Sequence, residues 1–128
     1  MIHLDTSAFL KLVRDEAESP ALRGLIGERG DLVSSALLVV EARRGVLRRD
    51  PRKLPEVDVA LDRVDVLEMS GALLESASRL PDPLLRSHDA IHLATALLIR
   101  DDVDVLLTYD DRLAEAARTH GVPTASPA

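Results

Sequence analysis

The sequence predicts an α/β protein: a three-layer α/β/α sandwich around a mostly parallel central sheet of four to five strands. Three observations predict it. Short apolar runs that read as strands alternate with helical stretches along all 128 residues. The helical stretches carry start and stop residues at their ends, Pro just inside and Gly just past. No internal repeat, low-complexity segment or linker breaks the alternation, so residues 1–128 read as one domain. Right-handed crossovers between parallel strands then place helices on both faces.

Taken in order, Ile2 to Leu4 reads as a strand and "TSAFLKLVRDE" as the helix after it. In "SPALRGLIGERG", Ser19 is a candidate N-cap, Pro20 the first helical residue and Gly30 the stop. "DLVSS" is a second strand, Ser35 can cap "ALLVVEARRGVLRR", and Asp50-Pro51 ends that helix. Pro55 opens a helix to about Arg63, "VDVLEM" is a third strand, and Ser70 caps "GALLESASRL". After the "PDP" loop, Ser87 can cap "HDAIHLATALLIR". "VDVLLTY" is the clearest buried strand, "DDRLAEAARTHG" closes as a helix with Gly121 as C-cap, and Val122 to Thr124 can add a last short strand.

Composition narrows the chemistry. With 46% hydrophobic residues and both charge signs dispersed, the chain is globular. The absence of cysteine excludes disulfides, thiolate metal sites and thiol nucleophiles, leaving oxygen and imidazole chemistry. The apolar runs are too short to span a bilayer and no basic n-region precedes one, which places the protein in the cytoplasm by expectation. The net charge of -6 argues against broad nucleic-acid binding, although two bound divalent ions would bring it to about -2. Phe9 and Tyr109 are the only Phe, Tyr or Trp residues, so any nucleic-acid contact must be mostly ionic rather than stacked.

In open α/β sheets, ligands bind beyond the carboxyl ends of the strands. Asp5 ends the first strand and Asp110 the clearest one, so a parallel sheet sends both toward one edge. Asp89 lies in the first turn of its helix above the apolar Leu93 and Ala96. Glu41 sits about 9 Å along its helix from Ser35, within reach of the same centre only through its longer side chain. Each acid alone has an ordinary role: a cap, a dipole complement, or a partner for Arg44. Gathered together they would repel strongly unless cations were bound, and oxygen-only donors select Mg²⁺ or Mn²⁺. Such an ion suits phosphodiester hydrolysis.

The segments "LDTSAFLKL", "SSALLVVEARRG", "LRSHDAIHLATAL" and "LLTYDDRLAEAA", in that order, resemble the PIN-domain ribonucleases, and within them the VapC-type toxins of VapBC toxin–antitoxin pairs. The resemblance implies the sandwich fold and a quartet of acids, Asp5, Glu41, Asp89 and Asp110, that binds Mg²⁺ or Mn²⁺. It further implies endonucleolytic RNA cleavage leaving 5′-phosphate and 3′-hydroxyl ends, a small antitoxin partner and a homodimer. Thr108 resembles a hydroxyl residue that accompanies and orients the last acid, and Asp111 competes with Asp110 for that place.

Other constellations compete with this one, and two lack a residue they require. His88 and His92, four apart, could ligate zinc or nickel beside Asp89. Arg43, Arg44 and Arg48, in a segment that also holds Arg49, Arg52 and Lys53, are candidate RNA-phosphate contacts. A receiver domain would need a lysine near the last strand, and a haloacid-dehalogenase-type phosphatase an Asp where Ser7 stands. A non-catalytic module binding a partner through "FLKLV" and the helix after Ser19, or a housekeeping nuclease, remain alternatives.

Overall fold

The computed structural model describes residues 1–128. Strand β1 (Ile2–Leu4) lies at the centre, paired in parallel with β2 (Leu32–Ser35) on one side and β4 (Val105–Leu107) on the other. β3 (Val64–Leu67) extends the sheet past β2, and β5 (Thr124–Ala125) extends it past β4. The order is β3-β2-β1-β4-β5, all parallel. β1 and β2 are buried at every residue, as a parallel sheet covered on both faces requires.

Helices α1 (Thr6–Val13) and α2 (Ser19–Ile26) link β1 to β2. α3 (Leu37–Arg49), a 3₁₀ turn at Pro51–Lys53 and α4 (Leu54–Leu61) link β2 to β3. These helices bury Phe9, Leu22, Ile26, Leu38 and Val57 against Ile2, Leu4 and Leu107. α5 (Gly71–Ser78) and α6 (Ser87–Leu98) return the chain from β3 to β4, and α7 (Asp111–Thr119) leads to β5. Leu93 of α6, Leu113 and Ala116 of α7 and Val122 gather on Leu106, while Leu73 and Ala77 of α5 pack on Ala94 of α6. Adjacent strand residues point to opposite faces. Leu107 therefore joins the first core and Leu106 the second, and the three layers follow.

The chain leaves β1 toward β2 but leaves β4 toward β5. Connections diverge between the two central strands, and a crevice opens at their carboxyl ends. No helix is long and apolar enough to cross a membrane.

Several helix ends differ from expectation. Ser19 is the first residue of α2 rather than its cap. Its hydroxyl lies 2.6 Å from the carbonyl of Lys11 and 2.8 Å from that of Arg14, and accepts from Glu16 N–H at 3.0 Å. Those contacts also end α1 at Val13 instead of Glu16, and α2 stops at Gly27, whose φ of 54° suits glycine, rather than at Gly30. Ser87 likewise begins α6 without capping it, Arg86 holding that position. At α3 the cap position falls to Ala36 rather than Ser35, whose hydroxyl accepts from Leu37 N–H at 3.1 Å from one residue further out; Ser70 does cap α5, through Leu73 N–H at 3.1 Å. α7 ends in a Schellman turn: Val122 N–H reaches Ala117 C=O at 2.9 Å and Gly121 takes φ 83°.

Candidate active site

Asp5 follows β1 and is 3% exposed. Its extended backbone aims the carboxylate at the first turn of α1, where Oδ1 accepts from Ala8 N–H at 2.9 Å and from the Ser7 hydroxyl at 2.7 Å. Asp5 is therefore itself the cap of α1, a place that neither Thr6 nor Ser7 takes. Its other oxygen, Oδ2, accepts from the Thr108 hydroxyl across the β1–β4 pair. Burial raises the Asp5 pKa, and these hydrogen bonds offset the rise only in part.

The same hydroxyls reach the other central strand. Thr108 Oγ1 accepts from Asp110 N–H at 3.0 Å, and Ser7 Oγ accepts from Tyr109 N–H at 2.9 Å. Thr108 thus donates to the first acid while fixing the backbone of the last, a different task from orienting the Asp110 carboxylate. Asp110 caps α7 through Oδ1, accepting from Arg112 and Leu113 N–H at 2.9 and 3.0 Å. Asp111 is the exposed first residue of that helix and lies outside the cavity lining. The tyrosine between them is anchored: its hydroxyl donates to Pro127 C=O at 2.6 Å, and Lys11 Nζ sits 4.9 Å over its ring.

Glu41 projects from the second turn of α3. Its Oε1 accepts from the Thr6 hydroxyl at 2.7 Å and lies 2.7 Å from His92 Nε2. Burial pushes the Glu41 pKa up, but the hydrogen bonds from His92 and Thr6 outweigh it and hold the carboxyl below its usual range. His92 is 1% exposed and meets His3 edge to face at 6.3 Å. His3, with neither ring nitrogen hydrogen-bonded, is kept neutral by burial and by the neighbouring His92, its pKa pushed down to about 3.

Asp89 is also 3% exposed, yet its surroundings differ. Oδ1 lies 3.3 Å from His88 Nε2, while Oδ2 is buried with no hydrogen-bond donor and has only Arg86 Nε, 3.6 Å away. Burial raises its pKa, and the Asp110 charge adds to the rise against the pull of His88 and Arg86. Arg86 also places Nη2 at 3.4 Å from Asp110 Oδ2.

Asp5, Glu41, Asp89 and Asp110 line one cavity of about 460 Å³, together with Thr6, Ser7, Leu10, Gly45, His88, His92 and four arginines, Arg14, Arg48, Arg49 and Arg86. The four acids do not close round one point: no three His, Asp or Glu side chains stand where they would hold a single ion. The reason is that each has a protein partner of its own, with Arg86 drawn between Asp89 and Asp110. The paired-histidine reading fails for the same reason, His92 being turned to Glu41 and His88 to Asp89. Of the arginines expected at RNA, Arg48 lines the cavity, Arg43 is paired with Asp58 at 3.0 Å, and Arg44 is outside the lining. Arg14 and Arg86 were missed: Arg14 falls within the stretch read as helix to Glu16 although α1 ends at Val13, and Arg86 precedes α6, where pattern assigns no facing.

The donor set nevertheless fits a hard divalent cation. All four acids offer oxygen, two are buried with raised pKa values, and Asp89 Oδ2 lacks any hydrogen bond. Arg86, its side chain 59% exposed, has room to yield.

Fold and site define the class, and comparison with known proteins agrees. The PIN domain model matches residues 2–119, and the chain belongs to the PIN-domain family. It is 41% identical over 131 residues to Ribonuclease VapC35 of Mycobacterium tuberculosis, covering 99% of this chain and 97% of that protein. Ribonuclease VapC46 of the same organism is 40% identical over 126 residues, covering 98% and 97%. Among solved structures, a toxin–antitoxin complex from Klebsiella pneumoniae superposes with a TM-score of 0.74 at 22% identity, covering 100% of this chain and 98% of that one.

Proposed function

We propose that the chain is a metal-dependent endoribonuclease, the toxin of a type II toxin–antitoxin pair of the VapBC kind, acting in the cytoplasm on RNA with residues 1–128 as one catalytic unit. The observation that carries this reading is the coincidence in one cavity of four carboxylates with arginines, in a chain about 40% identical along its length to proteins named as ribonucleases.

Asp5, Glu41, Asp89 and Asp110 would hold Mg²⁺ or Mn²⁺. When bound, such an ion supplies charge neutralisation at the phosphate and an acidified water. The chain's own residues do the rest. Thr108, Ser7 and the α1 N-terminus fix Asp5 in one orientation, Thr6 and His92 fix Glu41, and Arg86 is available to a phosphate oxygen once it leaves Asp89 and Asp110. Hydrolysis in this site leaves 5′-phosphate and 3′-hydroxyl ends. The toxin–antitoxin complex of the same fold supports an antitoxin partner, and a homodimer completes the proposed assembly.

The test is cleavage of RNA with Mg²⁺ or Mn²⁺, with excess chelator, and with Asp5→Asn. Cleavage is expected only in the first case, with a loss of about 10³-fold or more in the variant. Retained cleavage in chelator or in Asp5→Asn overturns the mechanism. Expression without the antitoxin should arrest growth, and harmless expression of a cleaving enzyme would make it a housekeeping nuclease.

A further inference from the structure

The cavity has a second end that the acids do not use. α1 and α3 run alongside one another through three levels. At the first, the Thr6 hydroxyl reaches Glu41 at 2.7 Å. At the second, Gly45 faces Leu10, whose Cδ1 would lie in van der Waals contact, at 3.4 Å, with a Cβ placed there. At the third, Arg14, which caps the C-terminus of α1, lines the same cavity as Arg48 and Arg49 in the last turn of α3. Helical rise of 1.5 Å per residue puts this level about 13 Å from Asp5 along α1 and about 10 Å from Glu41 along α3.

The state of these side chains sets them apart from most of the chain's other arginines. Arg23, Arg29, Arg43, Arg52, Arg79, Arg86 and Arg118 each pair with a carboxylate. Arg14, Arg48 and Arg49 have no such partner, and Arg14 Nε is buried without any hydrogen-bond acceptor. The helix C-termini favour cations there, which accounts for one arginine per helix end. It does not account for a desolvated guanidinium nitrogen with nothing to donate to, since such a group costs free energy until an acceptor arrives. Three guanidiniums facing a shared cavity repel until an anion sits among them, and the fork of donors on each suits phosphate oxygens.

We propose that Arg14, Arg48 and Arg49 form a phosphate subsite for the RNA backbone, taking a phosphate separate from the one being cleaved at the acids. It rests on the ribonuclease reading above and adds a requirement on the substrate. A dinucleotide, whose single phosphate is spent at the acids, gains nothing from this end, whereas a longer strand is held along the trough by it.

The test compares the wild-type chain with Arg14→Ala, Arg14→Lys, the double variant Arg48→Ala/Arg49→Ala, whose positions are exposed, and the triple variant with all three changed to Ala, the folding of each being verified by thermal melts. Binding of a fluorescein-labelled single-stranded oligoribonucleotide is followed by anisotropy in EDTA over a range of salt. Joint replacement of the three arginines should lower the slope of log affinity against log salt by about 0.7, the counterions of one phosphate. With Mn²⁺, KM for the oligonucleotide should rise about tenfold with kcat unchanged in Arg14→Ala and in the double variant, largely restored in Arg14→Lys, while turnover of a dinucleotide stays as in wild type. An unchanged slope, a fall in kcat at constant KM, or equal loss on the dinucleotide overturns the proposal. The two readings fail separately. Arginine-dependent binding without cleavage in metal sinks the nuclease and keeps the subsite, whereas normal cleavage with an unaltered slope and KM sinks the subsite alone.

Discussion

Asp5 and Asp89 are equally buried, at 3% exposure, and oppositely provided for. The wall of the cavity built from the β1 and β4 turns is a closed network: Asp5 receives three hydrogen bonds, and Thr108 and Ser7 each both donate and accept. The wall built from the start of α6 has no side-chain cap, one carboxylate oxygen without a donor, and a half-exposed arginine at 3.4 to 3.6 Å. One half is preorganised by covalent neighbours and strand pairing. The other is held in tension by charge, and gains most from a cation. Preorganised acids fix geometry cheaply at the moment of reaction, and an undersatisfied acid supplies affinity.

The comparison breaks most visibly at Thr108. Thr108→Val keeps the shape but leaves Asp5 Oδ2 and Asp110 N–H without their partner. Melting should fall by about 8 °C, or ~2 kcal/mol, and Mn²⁺ affinity by calorimetry should weaken about tenfold. Wild-type stability and affinity in that variant would show the network to be ornamental.

On the opposite wall the sign reverses. Asp89→Asn removes a desolvated charge, so the metal-free protein should melt about 4 °C higher at neutral pH, ~1 kcal/mol, while losing cleavage. The pH dependence sharpens this. Asp5 and Asp89 hold protons more tightly folded than unfolded, so the folded state binds more protons. Their part of the stability is therefore largest below the unfolded value of about 3.9 and declines as pH climbs through the raised ones. Glu41, with its lowered pKa, contributes in the opposite direction. Asp89→Asn should flatten the decline, and a melt profile with the same slope as wild type contradicts it.

The smallest effect belongs to Arg86. Arg86→Gln removes the cation that competes for Asp89 and Asp110, and Mn²⁺ should bind about threefold tighter, ~0.6 kcal/mol, by the same calorimetry. Weaker binding would mean that Arg86 organises the site rather than guards it.

What sequence could and could not foresee follows the same division. Asp5 and Asp110 are legible because they end apolar strands, and Asp89 because it heads an apolar helical face. Their partners are not. Thr108 reaches Asp5 only because β4 lies beside β1, a pairing between residues about a hundred positions apart that local pattern cannot specify. Ser19 reads as a cap, yet it is consumed by the carbonyls that end the previous helix. Arg43 and Arg48 look alike in "ARRGVLRR"; which one faces the cavity depends on where α4 lies, since Asp58 of α4 takes the first. The capping role of Asp5 and its place in the cavity read as rivals in sequence, but a carboxylate has two oxygens and serves both.

Tyr109 gives the molecule an optical property. It is the only tyrosine in a chain with no tryptophan, and its backbone N–H donates to the Ser7 hydroxyl that in turn donates to Asp5. Ultraviolet emission from the unlabelled protein therefore comes from one phenol, two hydrogen bonds from the first acid, with an ammonium over its ring and its hydroxyl tied to Pro127 near the chain's end. Loading of the cavity can be followed as a change in that single emitter, with no dye and no added residue.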